Sequence, residues 1–106
     1  MPYMPISGPE PGREELDRMP GQVVVEFGAS WCPHCQAVQP GLKELFQTAP
    51  KVTHVKVEDG KGKPLGRSFA VKLWPTLIFF RDGEQVARVT RPSDEELREA
   101  FGKLAT

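Results

Sequence analysis

Apolar and polar positions along the chain fall into blocks of different period. Val23-Val24-Val25 and Phe27 form a short apolar run broken by Glu26, which reads as a buried strand over 22–27. From about Pro33 to Thr48, Val38, Leu42, Leu45 and Phe46 keep helical spacing and predict a helix with that stripe inward. Pro33 costs little at its first turn, since that N–H has no helical partner. Pro40 sits inside the helix and predicts a kink. Val52–Val57 alternates apolar and polar residues, as a second strand does. Asp59-Gly60-Lys61-Gly62-Lys63 reads as a loop, and Pro64–Ala70 as a short helix with Leu65 and Phe69 inward. Thr76–Phe80 is a strongly apolar strand, Asp82-Gly83 a hairpin turn and Gln85–Thr90 the returning strand. Ser93 with Glu96 three residues on predicts a capped helix, with Leu97, Ala100, Phe101 and Leu104 on one face.

The order is strand, helix, strand, helix, hairpin, helix. It predicts an α/β fold: a central mixed β-sheet flanked by helices on both faces, its last strand antiparallel. The first 21 residues carry five of the 11 prolines and are expected to be partly irregular, with at most a short strand near Tyr3–Ser7. A short helix is expected from about Gly12 to Met19, Leu16 and Met19 inward. At 106 residues the chain suffices for one domain, taken as 1–106.

Composition narrows the function classes. Lys+Arg and Asp+Glu balance at 14 each, which gives no support for a nucleic-acid or membrane-surface partner. The longest apolar runs, 23–25 and 77–80, are too short to span a bilayer. The N-terminus has neither a basic segment nor an apolar one, so a cytoplasmic location is expected, or a periplasmic one had a signal been removed.

The candidate chemistry is Cys32-Pro33-His34-Cys35, which holds the only two cysteines. Two thiols at this spacing close into a small disulfide with little backbone movement. Cys32, at the helix start, faces unpaired N–H groups and the positive end of the helix dipole. Both favour the thiolate, the form that attacks disulfides. In a cytosolic chain such a pair suggests redox or metal chemistry more than a structural staple. A metal knuckle would need His34 and His54 to converge on the two thiols, since no other cysteine or histidine exists.

Taken together, these residues resemble a thioredoxin. One matching stretch is Val24-Val25-Glu26-Phe27-Gly28-Ala29-Ser30-Trp31-Cys32, with Cys35 and Pro40 behind it. The other is Trp74-Pro75-Thr76 leading into Leu77–Phe80 and Asp82-Gly83-Glu84. The resemblance runs from about Gln22 to Leu104 and implies the thioredoxin fold, a cis Pro75 facing the cysteines, and a thiol-disulfide oxidoreductase acting on protein disulfides. It implies no cofactor beyond the redox-active Cys32–Cys35 disulfide, no metal, a thioredoxin reductase or other thiol donor as partner, and a monomer. Four departures stand out. Trp74 replaces a smaller aliphatic residue. Pro33-His34 replaces the usual Gly-Pro, as in the bacterial periplasmic disulfide oxidases; Glu26 stands for the usual Asp; and Thr90-Arg91-Pro92 replaces a Gly-Ala loop.

Roles follow. Cys32 is the nucleophile and the more exposed thiol, and Cys35, one turn in, is the resolving thiol. His34, with Pro33, is expected to tune the thiolate and the potential; otherwise it is a solvated helix residue. Glu26, costly as an unpaired carboxylate in an apolar strand, is read from its family position as the acid/base that takes the Cys35 proton; alternatively it points out at a sheet edge. Lys56 is a candidate partner for that acid or a solvated strand lysine. Trp31 and Trp74 are read as lips of a shallow groove, with Pro75 and Thr76 beside them, or as ordinary packing. His54 is read as structural. The rival function is a thioredoxin-fold peptide-binding or subunit module without redox turnover.

Overall fold

A computed structural model of the chain describes residues 12–60 and 63–105. The strand expected near Tyr3–Ser7 lies outside them. The elements are α1 (Arg13–Arg18), β1 (Gln22–Gly28), α2 (Pro33–Thr48), β2 (Thr53–Glu58), α3 (Pro64–Ser68), β3 (Thr76–Arg81), β4 (Glu84–Thr90) and α4 (Asp94–Ala105). The order matches the sequence expectation, with ends moved by one or two residues. The helix expected to reach Ala70 stops at Ser68, and Ala70 sits at φ 56°, outside helical space.

The four strands form one sheet in the order β2-β1-β3-β4. β1 runs parallel to β2 and antiparallel to β3, and β4 returns antiparallel on β3. The parallel pair needs a crossover, which α2 supplies. The β3–β4 turn places Asp82 at φ 50° and Gly83 at φ 82°, the double positive φ of a tight hairpin. A Cβ on Gly83 would collide with the Asp17 carbonyl, so both conformation and space require glycine.

Strand alternation divides the core into two layers. Val23, Val25, Phe27, Val55, Val57, Ile78 and Phe80 face Leu16 of α1 and Leu65 of α3. Val24, Leu77 and Phe79 face Leu42 of α2 and Leu97, Ala100, Phe101 and Leu104 of α4. Each fully buried large side chain contributes roughly 1.5–3 kcal/mol, so the sheet is clamped from both sides. Glu26 shares the Val24 face by alternation and therefore points at α2. The capping box of α4 forms as expected: Ser93 N–H donates to Glu96 Oε1 at 3.0 Å, and Glu96 N–H to Ser93 Oγ at 3.2 Å. α2 continues through Pro40.

Candidate active site

β1 delivers the chain to Gly28, and the turn Ala29-Ser30-Trp31 carries it into α2. Cys32 is the N-cap of that helix, extended at φ −81° and ψ 119°, with Pro33 at the first helical position. Its N–H donates to the Ala29 carbonyl and its carbonyl accepts from Gln36 N–H, both at 3.1 Å. Gln36 Nε2 also donates to the Ser30 carbonyl at 2.9 Å, so the helix start and the turn brace each other.

Both cysteines are free thiols, hydrogen-bonded to each other. Cys32 is 4% exposed and Cys35 0%. The order is the expected one, but Cys32 is sheltered rather than open. The reason is Trp74, which packs against Ala29, Cys32 and Cys35. Burial pushes the Cys35 thiol up to about 12. A hydrogen bond from the Ala29 backbone opposes this, and the Cys32 side chain and the Glu26 carboxylate add to it. Cys35 therefore holds its proton tightly and needs a base to release it.

Glu26 is fully buried, not turned out at a sheet edge. Its two oxygens have different partners. Gln39 Nε2 donates to Oε2 at 2.7 Å and, from the same nitrogen, to the Cys35 carbonyl at 2.8 Å. His54 Nε2 lies 2.7 Å from Oε1. Lys56, opposite Glu26 in the β1–β2 register, donates from Nζ to Gln39 Oε1 at 2.8 Å. A lysine ammonium has donors only, so it fixes the amide with its oxygen outward and its NH₂ toward Glu26. The carboxylate, the amide, the imidazole and the ammonium thus form one network behind Cys35.

On the other side of the thiols, Trp31 is exposed and meets Trp74 edge to face, ring centroids 5.5 Å apart at 78°. Leu73, the residue before Trp74, is also exposed. Trp74 Nε1 donates to Asp59 Oδ2 at 2.8 Å, which anchors the indole. The Trp74–Pro75 peptide is cis. Pro75 is buried, and so is Thr76, at 1% exposure. The Thr76 hydroxyl donates to the Leu73 carbonyl at 2.7 Å. Thr76 thus shapes the turn from within instead of lining a groove, because as the first residue of β3 it points into the sheet's core face. The backbone beside Pro75 is partly occupied: Arg91 Nε donates to the Trp74 carbonyl at 3.0 Å, and Arg91 N–H to the Pro75 carbonyl at 2.9 Å.

His34 is exposed on the first turn of α2. His54, read from the sequence as structural, contacts Glu26. Among the described residues, no group of three or more His, Cys, Asp or Glu is placed to hold a metal ion. No helix among them is long and apolar enough to cross a membrane.

Sequence reading missed Gln39, the Glu26 contact of His54, and Arg91 as a partner of Trp74. Signals existed for the first two. Gln39 lies four residues after Cys35 and three before Leu42, a polar residue in the apolar stripe. His54 lies two residues before Lys56, on the same strand face.

Comparison with known proteins agrees with this geometry. The Thioredoxin family model matches residues 12–103. A thioredoxin H-type of Ricinus communis is 35% identical over 83 residues, covering 78% of this chain and 70% of that protein. A thioredoxin of Chlamydia pneumoniae is 38% identical over 76 residues, covering 72% and 74%. Among solved structures, the reduced thioredoxin 2 of Pseudomonas aeruginosa PAO1 superposes with TM-score 0.82 at 58% identity, covering 95% of this chain and 94% of that one.

Proposed function

The chain belongs to the thioredoxin family and is a thiol-disulfide oxidoreductase, and from that premise we propose that Cys32 attacks, Cys35 resolves and Glu26 moves the proton between turnovers. The observation that carries this reading is the pairing of a tightly held Cys35 proton with a buried carboxylate in its field.

The cycle balances as follows. Cys32 thiolate attacks one sulfur of a substrate disulfide. The first substrate sulfur leaves as a thiolate, and Cys32 is joined to the second. Glu26 takes the Cys35 proton. The Cys35 thiolate then attacks Cys32 Sγ, the bond to the substrate breaks, and the electron pair leaves with the second substrate sulfur. The substrate has gained two electrons and the protein holds a Cys32–Cys35 disulfide. A thiol donor such as a thioredoxin reductase returns the pair to the dithiol. The family needs no organic cofactor, because the thiols carry the electrons. A cytoplasmic setting suits this cycle, since its thiol pool keeps such pairs reduced.

The Cys32 N-cap position supports its role, since a helix start favours an anion there. Its shelter under Trp74 implies that substrate engages the Trp31–Trp74 rim and displaces that cover. Insulin reduction driven by dithiothreitol tests the reading. Acceleration by the wild type, none by Cys32→Ser, and accumulation of a mixed disulfide by Cys35→Ser are expected. A peptide-binding module without turnover would accelerate nothing. For Glu26→Gln, resolution should slow by about 100-fold at neutral pH; an unchanged rate overturns the base assignment.

A further inference from the structure

A base that works in every turnover must also return its proton to water. Glu26 is fully buried, so something must carry that proton out. Around the carboxylate, α2 presents Cys35 and Gln39, and β2 presents His54 and Lys56. The rest of that layer, from β1, β3 and α4, is apolar: Val24, Leu77, Phe79, Leu97 and Phe101. Cys35 is the proton's source. Gln39 has no exchangeable acid or base character, and Lys56 engages the amide oxygen of Gln39. His54 contacts Glu26 directly, and imidazole takes up and releases protons near neutrality.

We propose that His54 is the proton exit of the active site, a positioning residue that relays the Glu26 proton between the buried carboxylate and solvent. This inference rests on Glu26 acting as the base. Three observations carry it. His54 Nε2 is 2.7 Å from Glu26 Oε1, the oxygen opposite the one held by Gln39. The carboxylate side chain is 0% exposed and the imidazole 25% exposed, so the pair bridges interior and water. Third, the Phe46 ring stacks on the imidazole at 4.0 Å and 15°, which fixes the plane in which the proton is passed.

The step conserves protons. Protonated Glu26 gives its proton to Nε2 of a neutral imidazole. The imidazolium then releases the Nδ1 proton to water or buffer. When the disulfide is reduced again, the sequence runs backward and delivers a proton to Cys35.

The test uses the full chain at low buffer concentration and follows two rates: resolution of the mixed disulfide, by stopped-flow tryptophan fluorescence, and steady-state turnover of a disulfide substrate. His54→Gln keeps an N–H for the carboxylate and cannot carry a proton. His54→Ala leaves room for added imidazole. Both variants should turn over about tenfold more slowly than wild type, and rising imidazole should restore the His54→Ala turnover rate. An unchanged rate overturns the proposal, as does a slowed rate insensitive to imidazole, which is what a merely structural role gives. Either variant that melts cooperatively decides the question. Glu26→Gln is run alongside. If it leaves resolution unchanged, the base assignment fails and this inference falls with it. If it slows resolution while the His54 variants turn over like wild type, the relay alone is wrong.

Discussion

Arg91 Nε donates to the Trp74 carbonyl at 3.0 Å, across the turn that holds Pro75. An extended substrate that pairs with the backbone beside Pro75 would meet that carbonyl already bonded. Arg91 stands in the loop where the resemblance leads one to expect Gly-Ala, so the contact is a consequence of the departure itself. Arg91 also sits at φ 47°, in the left-handed region that non-glycine residues seldom adopt.

Removing the guanidinium should therefore open the site to peptides. We expect Arg91→Ala to lower KM for an extended peptide disulfide by about threefold to tenfold, the worth of one hydrogen bond of about 1 kcal/mol. It should leave kcat, and turnover of a small aromatic disulfide, nearly unchanged. Steady-state kinetics on the two substrates checks this. A raised KM for the peptide alone would show that Arg91 holds substrate instead of covering its place.

The Gln39 amide joins three groups: the Glu26 carboxylate, the Cys35 carbonyl and the Lys56 ammonium. Gln39→Leu removes donors to Glu26 Oε2 and the Cys35 carbonyl, and the acceptor of Lys56. Losing a hydrogen bond to a buried charged group costs about 1.5–3 kcal/mol, so the variant should melt earlier despite its larger apolar side chain. Combined with Lys56→Met in a double-mutant cycle, it should show a coupling of roughly 0.5–3 kcal/mol. Additivity of the two changes in denaturant titration would mean that Lys56 does not orient the amide.

These two sites mark where sequence reading stopped. The sheet, its two apolar layers and the thiol pair were legible, because strand alternation and helical spacing encode which face is buried. Glu26 stood out as a lone carboxylate in an apolar run. Its partners did not, since hydrogen bonds among Glu26, Gln39 and His54 depend on how α2 lies over the β1–β2 pair, a tertiary fact. Thr76 was grouped with the groove for its place beside Pro75, yet its side chain turns inward with the first residue of β3. The shelter over Cys32 was equally out of reach, because Trp74 comes to it from 42 positions along the chain.

The Cys35 thiol gives a pH signature of stability. Its ordinary value is 9.0 and burial first of all lifts it to about 12 in the folded protein. Below pH 9 the thiol is protonated folded or unfolded, and its contribution is fully present. Between 9 and about 12 only the unfolded chain ionises at this position, so the contribution is lost as pH rises. The slope is about 1.4 kcal/mol per pH unit. Denaturant titrations of the reduced protein from about pH 8 upward should show stability falling faster in the wild type than in Cys35→Ala. Parallel curves would place the thiol in a less buried setting.

His34 sits at the second position of α2, in the turn whose N–H groups point at Cys32. A positive ring there would stabilise the Cys32 thiolate, hence the dithiol form, and make the disulfide more oxidising. The reference couples for thioredoxin itself and for the periplasmic oxidase, about −270 and about −120 mV, are known values that bracket the expectation. We expect the wild-type potential to lie between them. His34→Gln removes the charge while keeping the backbone, and His34→Pro restores the usual residue at a position where a missing N–H costs little. Both should shift the potential in the reducing direction, measured by equilibration with glutathione. A shift in His34→Pro alone would assign the effect to backbone geometry. No shift in either would leave His34 as a solvated side chain.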